Sequence, residues 1–356
     1  MDLINQDALA LAQELAVLPD EDAKIKRLKQ EIKKLTNKLD ERQTGIDLLQ
    51  AAFREAYGDS VNVAPIKTKP KKSNKKYEEV AVLHLSDVHF GKKTDTYNFS
   101  VASERMEYLF ESAIRITEVR RHAAKIDKCR LYLGGDFVEG DGIFPGQAHE
   151  VDQDLVDQAV KNGPEVIADG IMTLLENFQS IHICGVPGNH GRVSRHHAKR
   201  LNWDSLFYET LRLIFHKVKD AKRITWDLPL DRKAKSWFAV DNVLGWGCMI
   251  VHGDQVRGQL GFPWYGFGKK VAGWIDVVQE PWDYLFAGHF HTCANFTINK
   301  RIVLANGTSE SDNEYAAEAL AAGGEPSQRL CFFCESHGLV ADSPIYLSDR
   351  KPNGKK

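Results

Sequence analysis

Residues 80–90, Val80-Ala81-Val82-Leu83-His84-Leu85-Ser86-Asp87-Val88-His89-Phe90, carry an apolar run straight into an Asp-x-His pair. A short, nearly continuous apolar run bounded by polar residues is the pattern of a strand buried on both faces, as in a layered α/β sheet. Side chains two apart in extended chain share a face, so Asp87 and His89 are expected to reach one point beyond the strand end. The arrangement recurs. Gly135-Asp136 follows Cys129–Leu133, Gly188-Asn189-His190 follows Ile181–Val186, His252-Gly253 follows Cys248–Val251, and Gly288-His289-Phe290-His291 follows Tyr284–Ala287. Each block puts Asp, Asn or His where the strands of an α/β sheet present ligands.

Asp87, His89, Asp136, Asn189, His252, His289 and His291 supply enough donors for two divalent ions sharing one carboxylate. A carboxylate has two oxygens and can bridge cations, which an imidazole does not readily do. Asn189 is a neutral oxygen donor, so it limits the negative charge and keeps the ions Lewis-acidic. Mixed nitrogen and oxygen donors without thiolate favour manganese first, with iron, zinc, cobalt or nickel as alternatives, over calcium or a structural zinc. His190 is left over, free to handle a proton.

The five blocks, in this order, resemble those of the calcineurin-like metallophosphoesterase superfamily across about residues 80–310. Asp87-Val88-His89-Phe90-Gly91 is most similar to the branch holding the double-strand-break-repair nuclease subunit and bacterial or phage DNA exonucleases. The resemblance implies a four-layer αββα sandwich. It implies one ion on Asp87, His89, Asp136 and His291, and a second on Asp136, Asn189, His252 and His289. His190 would protonate the leaving oxygen while a metal-bridging hydroxide hydrolyses a DNA phosphodiester. Two departures stand out. The second block reads Asp136-Phe137-Val138-Glu139-Gly140-Asp141, without the arginine of the superfamily's phosphatases. Gly191-Arg192 follows His190 where an acid is usual, so its acidic partner must come from elsewhere, Asp141 or Glu139.

The rest of the chain divides by composition into 1–60, 61–77 and 78–356. In the first part Ile25, Leu28, Ile32, Leu35, Leu39, Ile46, Leu49 and Phe53 form a heptad seam, interrupted by Arg42. Ile and Leu at alternate seam positions favour a two-stranded coiled coil, so this helical extension is expected to dimerise the protein or dock a partner. A single helix packed on its own catalytic domain is the plainer alternative. Residues 67–76, KTKPKKSNKK, read as a solvated linker, or alternatively a phosphate-gripping arm. Residues 78–356 form the catalytic domain, with helices near 101–124, 153–178 and 203–218 and further strands at Phe296–Ile298, Ile302–Ala305, Leu330–Cys334 and Ile345–Leu347.

Net charge is −2, so any nucleic-acid signal must be local. In 191–200, Arg192 and Arg195 are the substrate-binding candidates, since a planar guanidinium suits bidentate phosphate contact. Residues 253–274 mix Arg257, Lys269 and Lys270 with Phe262, Trp264, Tyr265, Phe267 and glycines. They read as a loop, either a stacking platform for unpaired bases or a packed cap. Residues 141–150 are expected to border the site, with His149 structural. The six cysteines (129, 184, 248, 293, 331, 334) read as buried and free. No apolar run suits a membrane span, and no cationic signal-peptide start is seen, so a bacterial or phage-infected cytoplasm is expected. The alternatives to a DNA nuclease are a phosphatase or small-nucleotide phosphodiesterase, and a DNA-binding scaffold with a structural metal site.

Overall fold

The computed structural model describes Gln30, Pro70 and residues 75–140, 147–193, 201–216, 218–232, 235–257, 262–311 and 325–348. The expected coiled coil in 1–60, most of the linker and Arg195 lie outside these residues. Strands β1 (Glu78–Leu85), β2 (Lys125–Leu133), β3 (Ser180–Gly185) and β4 (Ile224–Asp227) run parallel in one sheet, which β10 (Ser327–Cys334) and β11 (Gly338–Tyr346) extend antiparallel. Its order is β11-β10-β1-β2-β3-β4. Parallel neighbours need long crossovers. They are α1 (Phe99–Arg121) between β1 and β2, α2 (Leu155–Ala159) and α3 (Asn162–Asn177) between β2 and β3, and α4 (Trp203–His216) between β3 and β4. The second sheet has the order β5-β6-β7-β9-β8, from β5 (Phe238–Val243), β6 (Trp246–Val251), β7 (Tyr284–Ala287), β8 (Ala294–Ile298) and β9 (Arg301–Ala305). Helix α5 (Trp264–Val277) joins β6 to β7.

The period-two alternation of β6 shows how the sheets stack. Cys248 and Ile250 enter a core shared with Val80, Val82, Tyr132, Cys184 and Phe333 of the other sheet. Met249 and Val251 face Phe267, Val271 and Trp274 of α5. On the far side α1 and α3 lie on the six-stranded sheet, and the Arg120 guanidinium of α1 sits 5.0 Å over the ring of Phe332. The layers are therefore helix, sheet, sheet, helix. Among the described residues no helix is long and apolar enough to cross a membrane.

The structure corrects two expectations and adds two strands. Residues 153–178 are two helices, not one. The break falls before Gly163, where a Cβ would lie 2.2 Å from the Gln158 carbonyl oxygen, and Pro164 sits in the first turn of α3, where its missing N–H costs nothing. Much of 253–274 is helix rather than loop. Phe267, Val271, Trp274 and Val278 repeat at helical spacing toward the core, and this stripe outweighs the glycine content. Strands β4 and β5, short and partly polar, did not stand out as apolar runs. All six cysteines are free, and only Cys293 is not fully buried.

Register aligns the strand ends. Leu85 pairs with Leu133 and Leu133 with Gly185, while Val251 pairs with Ala287. The segments that follow these residues are the five motif blocks.

Candidate metal centre

The blocks leave their strands and lace together through the backbone. Asp87 N–H donates to the Gly135 carbonyl at 2.9 Å, His89 N–H to that of Asp136 at 3.0 Å, and Gly288 N–H to that of His252 at 2.7 Å. The side chains do not converge by strand alternation. Asp87, His89, Asp136, His289 and His291 all adopt left-handed backbone, with φ of 55°, 52°, 54°, 72° and 51°. Each such residue costs on the order of 1–3 kcal/mol, and strain of this kind concentrates at functional sites. Two glycines permit the close approach. A Cβ on Gly188 would lie 2.1 Å from Asp136 Oδ1, and one on Gly288 would lie 2.4 Å from Asp87 Oδ2.

All seven expected ligands meet here. The donor atoms of Asp87, His89 and His291 lie within 4.8 Å of one another, as do those of Asp136, His252 and His289. Nε2 of His252 is 2.9 Å from both Asn189 Oδ1 and Asp136 Oδ2. Its Nδ1–H donates to the Gly134 carbonyl at 2.9 Å, so Nε2, once it gives up its proton to an ion, turns a lone pair toward two oxygens. Nε2 of His89 and Nε2 of His291 face each other at 3.4 Å, while their Nδ1 atoms lie against Glu139 and Glu310 at 2.7 and 3.0 Å. Once the inner protons leave, these Nε2 atoms turn lone pairs on one another and on carboxylate oxygens, with Nδ1 of His89, His252 and His291 committed to outer acceptors, and divalent ions satisfy that arrangement. The residues fit the two ions that the motif spacing implies.

His89, Glu139 and His190 form a third group of close donor atoms. Here Glu139 serves as the acceptor for two rings. Its carboxylate lies 2.9 Å from Nδ1 of His190 as well as 2.7 Å from Nδ1 of His89, and the Gln147 amide donates to it at 2.8 Å. Of the two acids proposed as partner to His190, Glu139 fills the role; Asp141 lies outside the described residues. His190 is a quarter exposed at its side chain, and its backbone N–H donates to Asp136 Oδ1 at 2.8 Å.

The charges favour bound cations. Burial alone would raise the Asp87 and Asp136 carboxyls, but neighbouring imidazoles outweigh it and hold both below the usual range. Burial pushes the His252 imidazole down, yet the Asp136 carboxylate carries it up to about 10. His289 is lowered to about 4 by burial and by the charge of His252. His190 is raised, because Asp136 and Glu139 overcome its burial.

Two important side chains escape the motif pattern. Asp204, in the first turn of α4, accepts N–H groups from Asp136, Phe137, Val138 and Gly188 at 2.8–3.2 Å, tying the second block to the third. Glu310 orients His291. Neither sits at a strand end or at ligand spacing, so no local signal marks them. Arg192 donates to Asp254 at 2.5 Å, linking the segments after the third and fourth blocks. His149 is exposed on a short turn, Gln147–His149.

No family model and no curated protein matches this sequence. Among solved structures it is similar to the zinc complex of Vps29 from Entamoeba histolytica, at 13% identity and a TM-score of 0.33, covering 75% of this chain and 99% of that one. A predicted phosphoesterase from Streptococcus pneumoniae TIGR4 is 12% identical, with a TM-score of 0.28 and coverage of 75% and 98%. A hypothetical protein from Pyrococcus horikoshii OT3 is 12% identical, with a TM-score of 0.38 and coverage of 76% and 89%. Similarity at this level carries nothing about activity; the chemistry rests on the centre itself.

Proposed function

We propose that this protein is a phosphodiesterase that works with two divalent ions, manganese first among them, and cuts DNA. The observation that carries the reading is His190, held by Glu139 beside two groups of metal donors and not needed by either. Asp87, His89, Asp136 and His291 would hold one ion, and Asp136, Asn189, His252 and His289 the other. When bound, the ions lower the pKa of water and offset charge on the phosphoryl oxygens. Glu139, Glu310 and the Gly134 carbonyl fix three imidazoles with Nε2 inward. His190, its Nδ1 against Glu139, keeps Nε2 to protonate the departing oxygen. A diester needs this proton, because a sugar alkoxide is a poor leaving group. The branch that the first block resembles supports a DNA diester over a phosphate monoester, whose sugar alkoxide would need the same proton. The N-terminal region is proposed to pair two copies or to dock a partner.

The test is hydrolysis with manganese of linear duplex, single-stranded and closed circular DNA, beside bis-p-nitrophenyl phosphate, with Asp136→Ala as the blank. Metal-dependent DNA cutting that the variant lacks is the expected result, and the circle separates endo- from exonuclease action. Cleavage of the small diester with every DNA intact would replace this reading with a nucleotide phosphodiesterase. Bound metal with no hydrolysis of any ester would leave a structural site in a scaffold.

A further inference from the structure

Helix α5 carries an aromatic surface that the chemistry above does not use. It turns Phe267, Val271 and Trp274 into the core, yet on its first turn Trp264 is 55% exposed and Tyr265 90% exposed. Neighbouring bare rings of this size mark a surface that something covers. They are continuous with the metal centre. The Trp264 ring packs 4.5 Å from Phe296 and 4.9 Å from Phe262, and Phe262 lies 5.9 Å from Phe290. Phe290 sits between the two candidate ligands of the last block, its ring 4.9 Å from that of His289. A packed path of rings thus runs from the centre to Trp264.

Cations flank the rings. Lys269 is exposed and lies one turn beyond Tyr265, on the same helix face. Arg257 is exposed too, and its carbonyl borders Gly266 so closely that a Cβ there would lie 2.4 Å away. The first turn of α5 carries no acid to repel a phosphate. Flat rings between cations, next to a centre that cleaves phosphoesters, match the two chemistries of a nucleotide, a stacking base and an anionic backbone.

We infer that Trp264 and Tyr265 form a stacking platform for unpaired bases of a nucleic-acid strand whose backbone enters the metal centre. The inference rests on the nuclease reading and narrows its substrate to strands with unpaired bases. A second copy of the chain would also cover bare rings, but it would not account for their continuity with the metal centre or for the flanking cations.

The test is anisotropy of labelled oligothymidylate against an abasic strand of equal length, with calcium in place of manganese. The wild-type protein is expected to bind the thymidine strand about tenfold or more tighter than the abasic one. Trp264→Ala and Tyr265→Ala each lower thymidine-strand affinity about tenfold, and Trp264→Phe restores most of it. Val277→Ser, 68% exposed at the far end of the same helix, is the control that leaves binding unchanged. Thermal melts check that each variant is folded. Equal affinity for the two strands in a protein that does cut DNA would overturn the platform alone. Binding of neither strand, with only the small diester hydrolysed, would overturn the nuclease reading first. A dimer that the alanine variants dissolve, without any base preference, would give the surface to a second copy.

Discussion

Oε2 of Glu139 stands 2.9 Å from Nδ1 of His190, and the same oxygen stands 2.7 Å from Nδ1 of His89. One buried carboxylate therefore aligns a candidate metal ligand and the candidate acid together. Burial disfavours a charge on His190, but in the ion-free centre Asp136 and Glu139 raise its pKa, and Glu139, which holds no ion in this arrangement, still supports the protonated ring when ions occupy Asp136. An acid works only while protonated, so activity falls as pH rises through that pKa. His190→Ala is expected to cost about 10²–10⁴-fold on DNA. The loss should be far smaller on bis-p-nitrophenyl phosphate, whose leaving group needs no proton. Glu139→Gln removes one charge that raises the ring, so its alkaline limb should move to lower pH. The kcat/KM profile on DNA, with metal content measured in parallel, checks this; an unmoved limb would separate Glu139 from proton delivery.

Metal loading should release protons. Burial alone would lower the His252 and His291 imidazoles, but Asp136 lifts the first to about 10, and Asp87 and Glu310 lift the second well above its usual value. Without ions both rings hold protons at neutral pH, and a ligand imidazole must give its proton up. Apparent affinity for manganese should therefore rise with pH, by about tenfold per unit for each proton displaced. Calorimetry in buffers of different ionisation enthalpy counts the protons directly. A pH-independent affinity with none released would mean that the ions bind elsewhere.

The candidate ligands were legible because each chemistry-bearing residue follows its strand closely, and β1, β2, β3, β6 and β7 are apolar runs whose ends the parallel register aligns. Their geometry was less so. Alternation along an extended chain brings Asp87 and His89 to one face on paper, but left-handed backbone at both residues does it in the structure. Glu139 was one of two local choices, and only the folded loop separates them. Asp204 and Glu310 act across long sequence separations, which no spacing rule records. In α5 the glycines masked a helical stripe, and which of its aromatic rings are buried depends on a sheet that the local sequence does not show.

Asp204 should matter to both stability and metal binding. Its carboxylate is fully buried and accepts four backbone N–H groups from the segments carrying Asp136 and Gly188. Asp204→Ala would leave those donors without a partner, at a cost of about 1–3 kcal/mol for each that finds no substitute. Asp204→Asn keeps one acceptor oxygen but loses the charge, and it should cost about 2 kcal/mol. A bound ion raises the melting temperature by mass action. If Asp204 positions Asp136, the rise that manganese gives the wild-type protein should shrink in Asp204→Asn. A lowered melting temperature with an undiminished manganese response would restrict Asp204 to a structural role.

His84 should give the fold an acid-sensitive step. It is fully buried on β1, edge-on to Phe286 at 5.5 Å between ring centroids, and neither ring nitrogen has a hydrogen-bond partner among the described residues. Burial, assisted by the Arg329 charge, pushes its pKa down to about 3. Above the usual imidazole pKa of about 6.5 both folded and unfolded chains hold it neutral, and it adds no pH dependence. As pH falls from about 6.5 toward 3, the unfolded chain binds a proton that the folded one refuses, and stability drops by up to about 1.4 kcal/mol per pH unit. Carboxylates steepen the acid limb in any variant, so the informative quantity is a difference in slope. His84→Leu fills the same space without a titrating group and should flatten the decline between pH 6.5 and 4.5, measured by urea unfolding of metal-free protein. Parallel declines in the two proteins would show that the fold carries this imidazole protonated, and that the charge of Asp87 outweighs burial at this position.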